Sequence, residues 1–156
     1  MKKVMFISST GGHLSELMQL KPFFKNYDYY IVTEKNDTTI KLKSEYEDRI
    51  YYLIYGARNY MLSYMIKFPL NIIKSFYLFL KINPQVIVTT GAHTAVPMCY
   101  IAKLFKRKVI FIETLARVKS KSLSGKLINR IADLFLVQNE ELLEVYDNSI
   151  YKGELY

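Results

Sequence analysis

The strongest constraint on this chain is the rhythm of its short apolar runs. Val-Met-Phe-Ile-Ser at residues 4–8, Gln-Val-Ile-Val-Thr-Thr at 85–90, Lys-Val-Ile-Phe-Ile at 108–112 and Leu-Phe-Leu-Val-Gln at 134–138 are rich in apolar and β-branched residues, and each is too short for a stable helix. Helical periodicity falls between them, at about 14–24, 96–105 and 124–132, with a shorter stretch at 140–146. Further β-rich runs at 29–33 and 50–55 enclose a charged loop over 34–48. Strands that are apolar on both faces and alternate with helices predict a mostly parallel sheet covered on both sides, a doubly wound, Rossmann-like α/β domain. The 156 residues suffice for one such domain, residues 1–156, with no linker and no internal repeat.

Composition narrows the partners. Lys and Arg outnumber Asp and Glu by 22 to 14, and the net charge of +8 favours an anionic partner such as nucleic acid, an anionic membrane surface or a phosphorylated substrate. The basic residues are scattered and match no nucleic-acid-binding module, so no nucleic acid is expected. One cysteine, Cys99, cannot form an internal disulfide and points to a reducing compartment. The start, basic then apolar, resembles a signal peptide, but the apolar run breaks at Ser8-Ser9-Thr10-Gly11-Gly12 and reads as a first strand of a cytoplasmic protein.

The segment 59–82 stands apart. It is densely apolar and aromatic, and Lys67, Lys74 and Lys81 recur every seven residues, so on a helix they form one basic stripe. Those lysines interrupt the run well short of the roughly 20 residues that a membrane span requires. Pro69 is expected to start or kink a helix. Two readings stay open: a crossover helix packed on the sheet, or an interfacial helix with Phe76 and Phe79 towards lipid and the lysines towards anionic headgroups.

In an open parallel sheet, ligands bind beyond the carboxyl ends of the strands. Four loops qualify, at 9–13, 90–94, 113–117 and 138–141. Ser9, Thr10, Gly11 and Gly12 offer a close backbone approach and N–H groups for an anion such as a pyrophosphate. The loop is neither a dinucleotide fingerprint nor a P-loop. His13 is a candidate general base, or a histidine that merely bonds locally. Gly91, His93 and Thr94 form a second crevice loop. Glu113, with Arg117 close behind, either acts on a substrate or forms a structural ion pair. The following stretch, Lys119 to Ser124, is basic and rich in hydroxyls. Two histidines and one cysteine far apart give no metal-ligand spacing, so no metal is expected.

Taken together, several segments form a familiar series. Ser-Thr-Gly-Gly-His at 9–13, Thr-Thr-Gly-Ala-His-Thr-Ala-Val-Pro at 89–97, Ile-Glu-Thr-Leu-Ala-Arg-Val at 112–118, Ser-Leu-Ser-Gly-Lys-Leu at 122–127, Ala-Asp-Leu-Phe-Leu-Val-Gln at 132–138 and Tyr-Lys-Gly-Glu-Leu at 151–155 occur in this order. The set resembles the family of the membrane-recruiting subunit of the two-part dolichol-linked N-acetylglucosamine transferase, and most closely its bacterial capsule and exopolysaccharide relatives. The resemblance implies the N-terminal, acceptor-side half of a GT-B glycosyltransferase, whose donor-binding catalytic half is a separate chain. It implies His13 as the general base, Gly11 and Gly12 at the lipid pyrophosphate, and an interest in Glu113 and Arg117 without fixed roles. It also suggests Gln138, Asn139, Tyr151, Gly153 and Leu155 as docking points for the partner.

The expected function is therefore a subunit, inactive alone, of a hexosyltransferase complex peripheral to the inner face of the cell membrane. It would add a sugar to an undecaprenyl-diphosphate-linked saccharide. No tightly bound cofactor is expected, the UDP-sugar being held mainly by the partner. Two alternatives stand beside it. One is a scaffold that contributes no catalytic group. The other is a nucleotide-dependent oxidoreductase in which Glu34, after the second strand, takes the place of the ribose-binding acid.

Overall fold

A computed structural model describes residues 1–56 and 61–156. Seven strands form one parallel sheet: β1 (Lys3–Ile7), β2 (Asp28–Lys35), β3 (Ile50–Ile54), β4 (Val86–Thr89), β5 (Lys108–Ile112), β6 (Leu134–Val137) and β7 (Ser149–Tyr151). Their order is β3-β2-β1-β4-β5-β6-β7. The helices are α1 (Gly12–Met18), α2 (Lys21–Phe24), α3 (Lys43–Tyr46), α4 (Met61–Ile82), α5 (Ala95–Leu104) and α6 (Leu123–Ile128). This is the doubly wound, Rossmann-like sheet that the apolar rhythm predicts.

Alternate strand residues feed two cores. On one face Met5, Ile7, Ile87, Val109, Phe111 and Phe135 pack with Leu78, Phe79 and Ile82 of α4, Met98, Cys99 and Ala102 of α5, and Ile128 of α6. On the other, Val4, Phe6, Ile31, Ile50, Val88 and Ile112 pack with Leu14 and Leu17 of α1, Phe24 of α2 and Tyr46 of α3. Burial pushes the Cys99 thiol up to about 12, so it behaves as a small apolar side chain.

Several boundaries differ from the sequence reading. The helix expected over 14–24 is two helices, because Pro22 opens α2 and cannot donate a backbone hydrogen bond that would continue α1. Strand β2 runs two residues further than expected, and Glu34 and Lys35 pair in register with Leu53 and Ile54. The charged loop after it contains α3. Strand β7 lies in a stretch with no expected strand, since its three residues carry no period of their own.

Helix α4 has two unlike faces. Asn71, Ser75, Leu78, Phe79 and Ile82 are buried against the protein, and Asn71 both donates to and accepts from the backbone of Ile54 at 2.8 Å. Phe79, at 1% exposure and in ring contact with Phe105, is therefore a core residue rather than a lipid-facing one. The opposite face leaves Met65, Ile66, Leu70, Ile73, Phe76, Tyr77 and Leu80 exposed, Ile73 by 67%. The helix runs through Pro69. Residues 59 and 60 of the expected segment lie outside the described residues. Among the described residues no helix is long and apolar enough to cross a membrane.

Asp133 fastens the second half of the sheet. It accepts from Lys103 and Lys108 at 2.8 and 2.9 Å and from the Val109 N–H at 2.9 Å. Partial burial opposes ionisation, but these three donors outweigh it and hold the carboxyl down at about 2. A depressed folded pKa means the contribution is full above the unfolded value near 4 and is lost as pH falls through about 2. Asp133→Asn is expected to cost about 1 kcal/mol at pH 7, after allowance for solvent screening. Urea titrations should show that deficit shrinking as pH is lowered from 4 towards 2; a deficit unchanged over that interval contradicts the assignment.

Candidate functional site

The strand order reverses between β1 and β4, and there the loops after the strands part. A cleft of about 380 Å³ opens at that point. Its walls come from the loop after β1 (Ser9, Thr10, His13), the ends of β2 and β3 (Glu34, Tyr55, Gly56) and the loop after β4 (Ala92, His93). The loop and helix start after β5 supply Thr114, Arg117, Ser122, Leu123 and Ser124. Three of the four expected loops thus converge. The fourth, from Gln138, lines a separate groove of about 640 Å³ with Glu140, Glu141, Glu144, Glu154 and Tyr151.

His13 is held in a defined state. Its Nδ1 lies 2.8 Å from the carbonyl oxygen of Thr90, while the Thr90 hydroxyl donates back to the His13 carbonyl at 2.6 Å. A carbonyl can only accept, so Nδ1 carries the proton of the neutral ring and Nε2 is left as an acceptor. Gly11, at φ 77°, makes the turn into α1, whose first N–H groups have no acceptor within the helix. Gly91, at φ 93°, lets the second loop close on the first: a Cβ there would stand 3.2 Å from Ser124 Oγ and 3.5 Å from the His13 ring. The Ser9 N–H donates to the Gly91 carbonyl at 3.2 Å.

Glu34 was expected in the site only under the oxidoreductase reading, yet it forms the base of the cleft. At 2% exposure, its Oε1 accepts from the Thr94 hydroxyl at 2.8 Å and lies 3.7 Å from His93 Nε2. Its Oε2 takes the Thr10 N–H and hydroxyl at 3.3 and 3.4 Å. Glu16, which carried no motif-level signal, ties α1 to the third loop: it accepts from the Thr114 hydroxyl at 2.8 Å and the Leu115 N–H at 2.9 Å.

Glu113 does not take the expected place. It is fully buried, outside the cleft lining, and its carboxylate accepts from Ser122 Oγ at 2.8 Å, the Thr114 N–H at 3.0 Å and the Tyr146 hydroxyl. Nor does it form the alternative ion pair, for Arg117 is exposed and directs Nη1 to Ser120 Oγ at 3.3 Å. Burial first, and then the bond to Glu113, push the Tyr146 phenol well above its ordinary value. Glu113 therefore positions the start of α6, where Ser122 caps the helix by accepting the Gly125 N–H at 2.8 Å.

The docking calls divide similarly. Gln138 is buried, donating to the Glu113 carbonyl and accepting from the Leu155 N–H, both at 2.9 Å. Asn139 donates to the carbonyls of Leu115 and Arg117 at 3.0 and 2.7 Å. These two side chains are internal ties rather than a docking surface. Leu155 is half-buried against the core on the α1 face, whereas Tyr151 lines the acidic groove and Gly153 is exposed. Among the described residues, no group of three or more His, Cys, Asp or Glu side chains could hold a metal ion.

Residues 4–155 match the family model described as oligosaccharide biosynthesis protein Alg14 like. The chain belongs to the Alg14-like family. It is 34% identical, over 94% of its length and 74% of the relative's, to the UDP-N-acetylglucosamine transferase subunit ALG14 of Candida albicans. It is 30% identical, over 97% of its length and 45% of the relative's, to a Borreliella burgdorferi protein. That protein is named UDP-N-acetylglucosamine--N-acetylmuramyl-(pentapeptide) pyrophosphoryl-undecaprenol N-acetylglucosamine transferase. The crystal structure of Acinetobacter baumannii MurG superposes with a TM-score of 0.78 at 14% identity, over 99% of this chain and 46% of that one. The chain thus spans just under half of the solved protein, and the likeness concerns the fold. The relatives' names give a transferase subunit and, for the Borreliella burgdorferi protein, a pyrophosphoryl-undecaprenol acceptor; they give no support to a capsule or exopolysaccharide setting.

Gly125, quoted above only as part of a motif, is the tightest point near the site. A Cβ there would stand 2.8 Å from Ser122 Oγ and closer still to Glu113 Oε2 and the Tyr146 hydroxyl. Gly125→Ala is expected to destabilise the fold by about 2–4 kcal/mol, through overpacking and loss of a buried hydrogen bond. Thermal denaturation measures this, and a midpoint within a degree of the wild type would refute the packing described.

Proposed function

We propose that this chain is the acceptor-side subunit of a two-chain glycosyltransferase that glycosylates a prenyl-diphosphate-linked saccharide at the cytoplasmic face of a membrane. The observation that carries the reading is the fixed tautomer of His13 in the cleft, which presents Nε2 as a proton acceptor. An acceptor hydroxyl gives its proton to His13 Nε2 as its oxygen attacks the anomeric carbon of a UDP-sugar held by the partner chain. The bond to the UDP oxygen breaks and UDP departs with the electron pair; direct displacement inverts the anomeric centre. The names of the relatives favour N-acetylglucosamine as the sugar. Backbone N–H groups at Gly11 and Gly12, with Arg117 and the hydroxyls of Ser9 and Ser124, suit the acceptor's diphosphate.

Reconstitution tests this. Membranes holding both chains should transfer sugar to a prenyl-diphosphate saccharide, and either chain alone should not. His13→Ala should lower kcat by about 10²–10⁴ with the two chains still associated. Full turnover by that variant would favour the scaffold reading, for which Glu16, Glu34 and Glu113 serve only to shape the subunit.

The exposed face of α4 suits peripheral attachment. It is apolar from Met65 to Leu80, and Lys67, Lys74 and Lys81 border it, in the arrangement of an interfacial helix. Since α4 follows β3, its first turns lie at the cleft end of the sheet. Near an anionic surface each lysine is worth about 1 kcal/mol. Changing all three to Gln should weaken binding to vesicles containing phosphatidylglycerol roughly 100-fold, read by sedimentation. Binding that stays the same would assign this face to a protein instead.

A further inference from the structure

We propose that Glu34 is the residue that reads the saccharide of the acceptor, its carboxylate accepting hydrogen bonds from sugar hydroxyl groups at the base of the cleft. This rests on the glycosyltransferase reading above but assigns a contact that the family likeness and the quoted motifs leave unassigned. Three observations lead to it.

The first is position. Glu34 is the penultimate residue of β2 in a Rossmann-like sheet and lines the crevice, where the usual chemistry of a carboxylate is to accept from sugar hydroxyls. The second is capacity. A carboxylate has about four lone-pair sites. The Thr94 hydroxyl fills one of them well at 2.8 Å, but the two Thr10 contacts, at 3.3 and 3.4 Å, lie beyond the ordinary range for their donor types. Oε2 is therefore held in place by weak donors that a sugar hydroxyl at about 2.7 Å would outcompete.

The third is charge. Glu34 is buried beside Thr10, Thr94 and His93, and among the described residues no Lys or Arg pairs with it. A carboxylate in such a place suits hydroxyl donors and would repel a phosphate. The cleft is thereby divided. Arg117 and Ser124, from the segment after β5, suit the diphosphate, and Glu34, at the end of the β2 wall, disfavours it there while accepting from the sugar. His13 and Glu34 line the same cleft, so one bound saccharide would be within the space that both face.

Calorimetric titration of the full chain, in complex with its donor-binding partner, decides the matter. The probe is N-acetylglucosamine diphosphate bearing a short prenyl chain, alongside each of its monodeoxy analogues. Wild type should bind the parent, and at least one deoxy analogue should bind about 10- to 100-fold more weakly, as expected for a hydrogen bond to a charged group. Glu34→Gln keeps the shape and one oxygen acceptor for Thr94. It should weaken the parent by a similar factor and erase its advantage over that same analogue, with UDP-sugar affinity unchanged. In turnover the loss should fall on KM for the acceptor, with kcat within about threefold.

Parent affinity unchanged in Glu34→Gln overturns the inference, as does failure of wild type to bind the parent at all. Should the variant not fold, the deoxy series on wild type still decides, because equal binding of every analogue shows that no hydroxyl is read. Binding with the expected pattern but no sugar transfer supports the contact and instead removes the glycosyltransferase reading.

Discussion

The reversal of strand order between β1 and β4 is the constraint from which the rest follows. Connections leaving these two neighbouring strands wind in opposite directions, so the polypeptide cannot cover the carboxyl ends of both and a crevice remains. The loops on either side must nevertheless be joined, or a parallel sheet would end in two uncoupled rims. The joints here are short and polar: Ser9 to Gly91, and the reciprocal pair between His13 and Thr90. The histidine that can take a proton is thus also part of the seam. Its tautomer is dictated by the backbone rather than by another side chain.

Three buried glutamates complete the seam, each joining elements distant in sequence. Glu34 links β2 to the loops after β1 and β4, Glu16 links α1 to the loop after β5, and Glu113 links β5 to the start of α6 and to Tyr146. Oε2 of Glu16 is buried without a hydrogen-bond partner among the described residues, and the donors that the three accept from are mainly hydroxyl and backbone N–H groups. That choice has a physical consequence. Charge-assisted hydrogen bonds of this kind are directional and strong in a low dielectric, whereas a long lysine would bring its own rotamer freedom into the crevice. The excess of basic residues, 22 against 14, is correspondingly placed mostly at the surface.

The sheet was legible because strands buried on both faces have to be apolar throughout, and 108–112 matched β5 residue for residue. Short elements were less so. The three residues of β7 and the four of α3 exist through tertiary contacts, which no local period records. In the site, Ser9, Thr10, His13, His93 and Arg117 could be placed at the cleft because loops after strands are where ligands approach. Glu113 was misplaced by the same logic: it directly follows its strand, but side chains alternate in direction, and its carboxylate turns inward to Ser122 and Tyr146. Glu34 was singled out only as the ribose-binding acid of the oxidoreductase alternative. It looked like the first residue of a charged loop, while β2 continues beyond it. The alternation that buries Val32 on one side could have shown its direction, had the end of the strand been set two residues later.

Helix α4 answers two demands at once, and its sequence shows how they are kept apart. The sheet-facing side needs close packing and receives Leu78, Phe79 and Ile82, with Asn71 fastening it to Ile54. The outer side needs no shape complementarity, and carries large apolar residues with the lysines confined to one border. A crossover connection in a doubly wound fold would ordinarily be polar there. That it is not, in a helix beginning near the cleft, couples the two halves of the proposal. Under that proposal a lipid-borne acceptor brings a hydroxyl from the membrane boundary to His13, and the shortest path requires the crevice and the apolar face to share one end of the sheet. The parallel topology enforces this, because α4 leaves β3 at the same end where every ligand-facing loop begins.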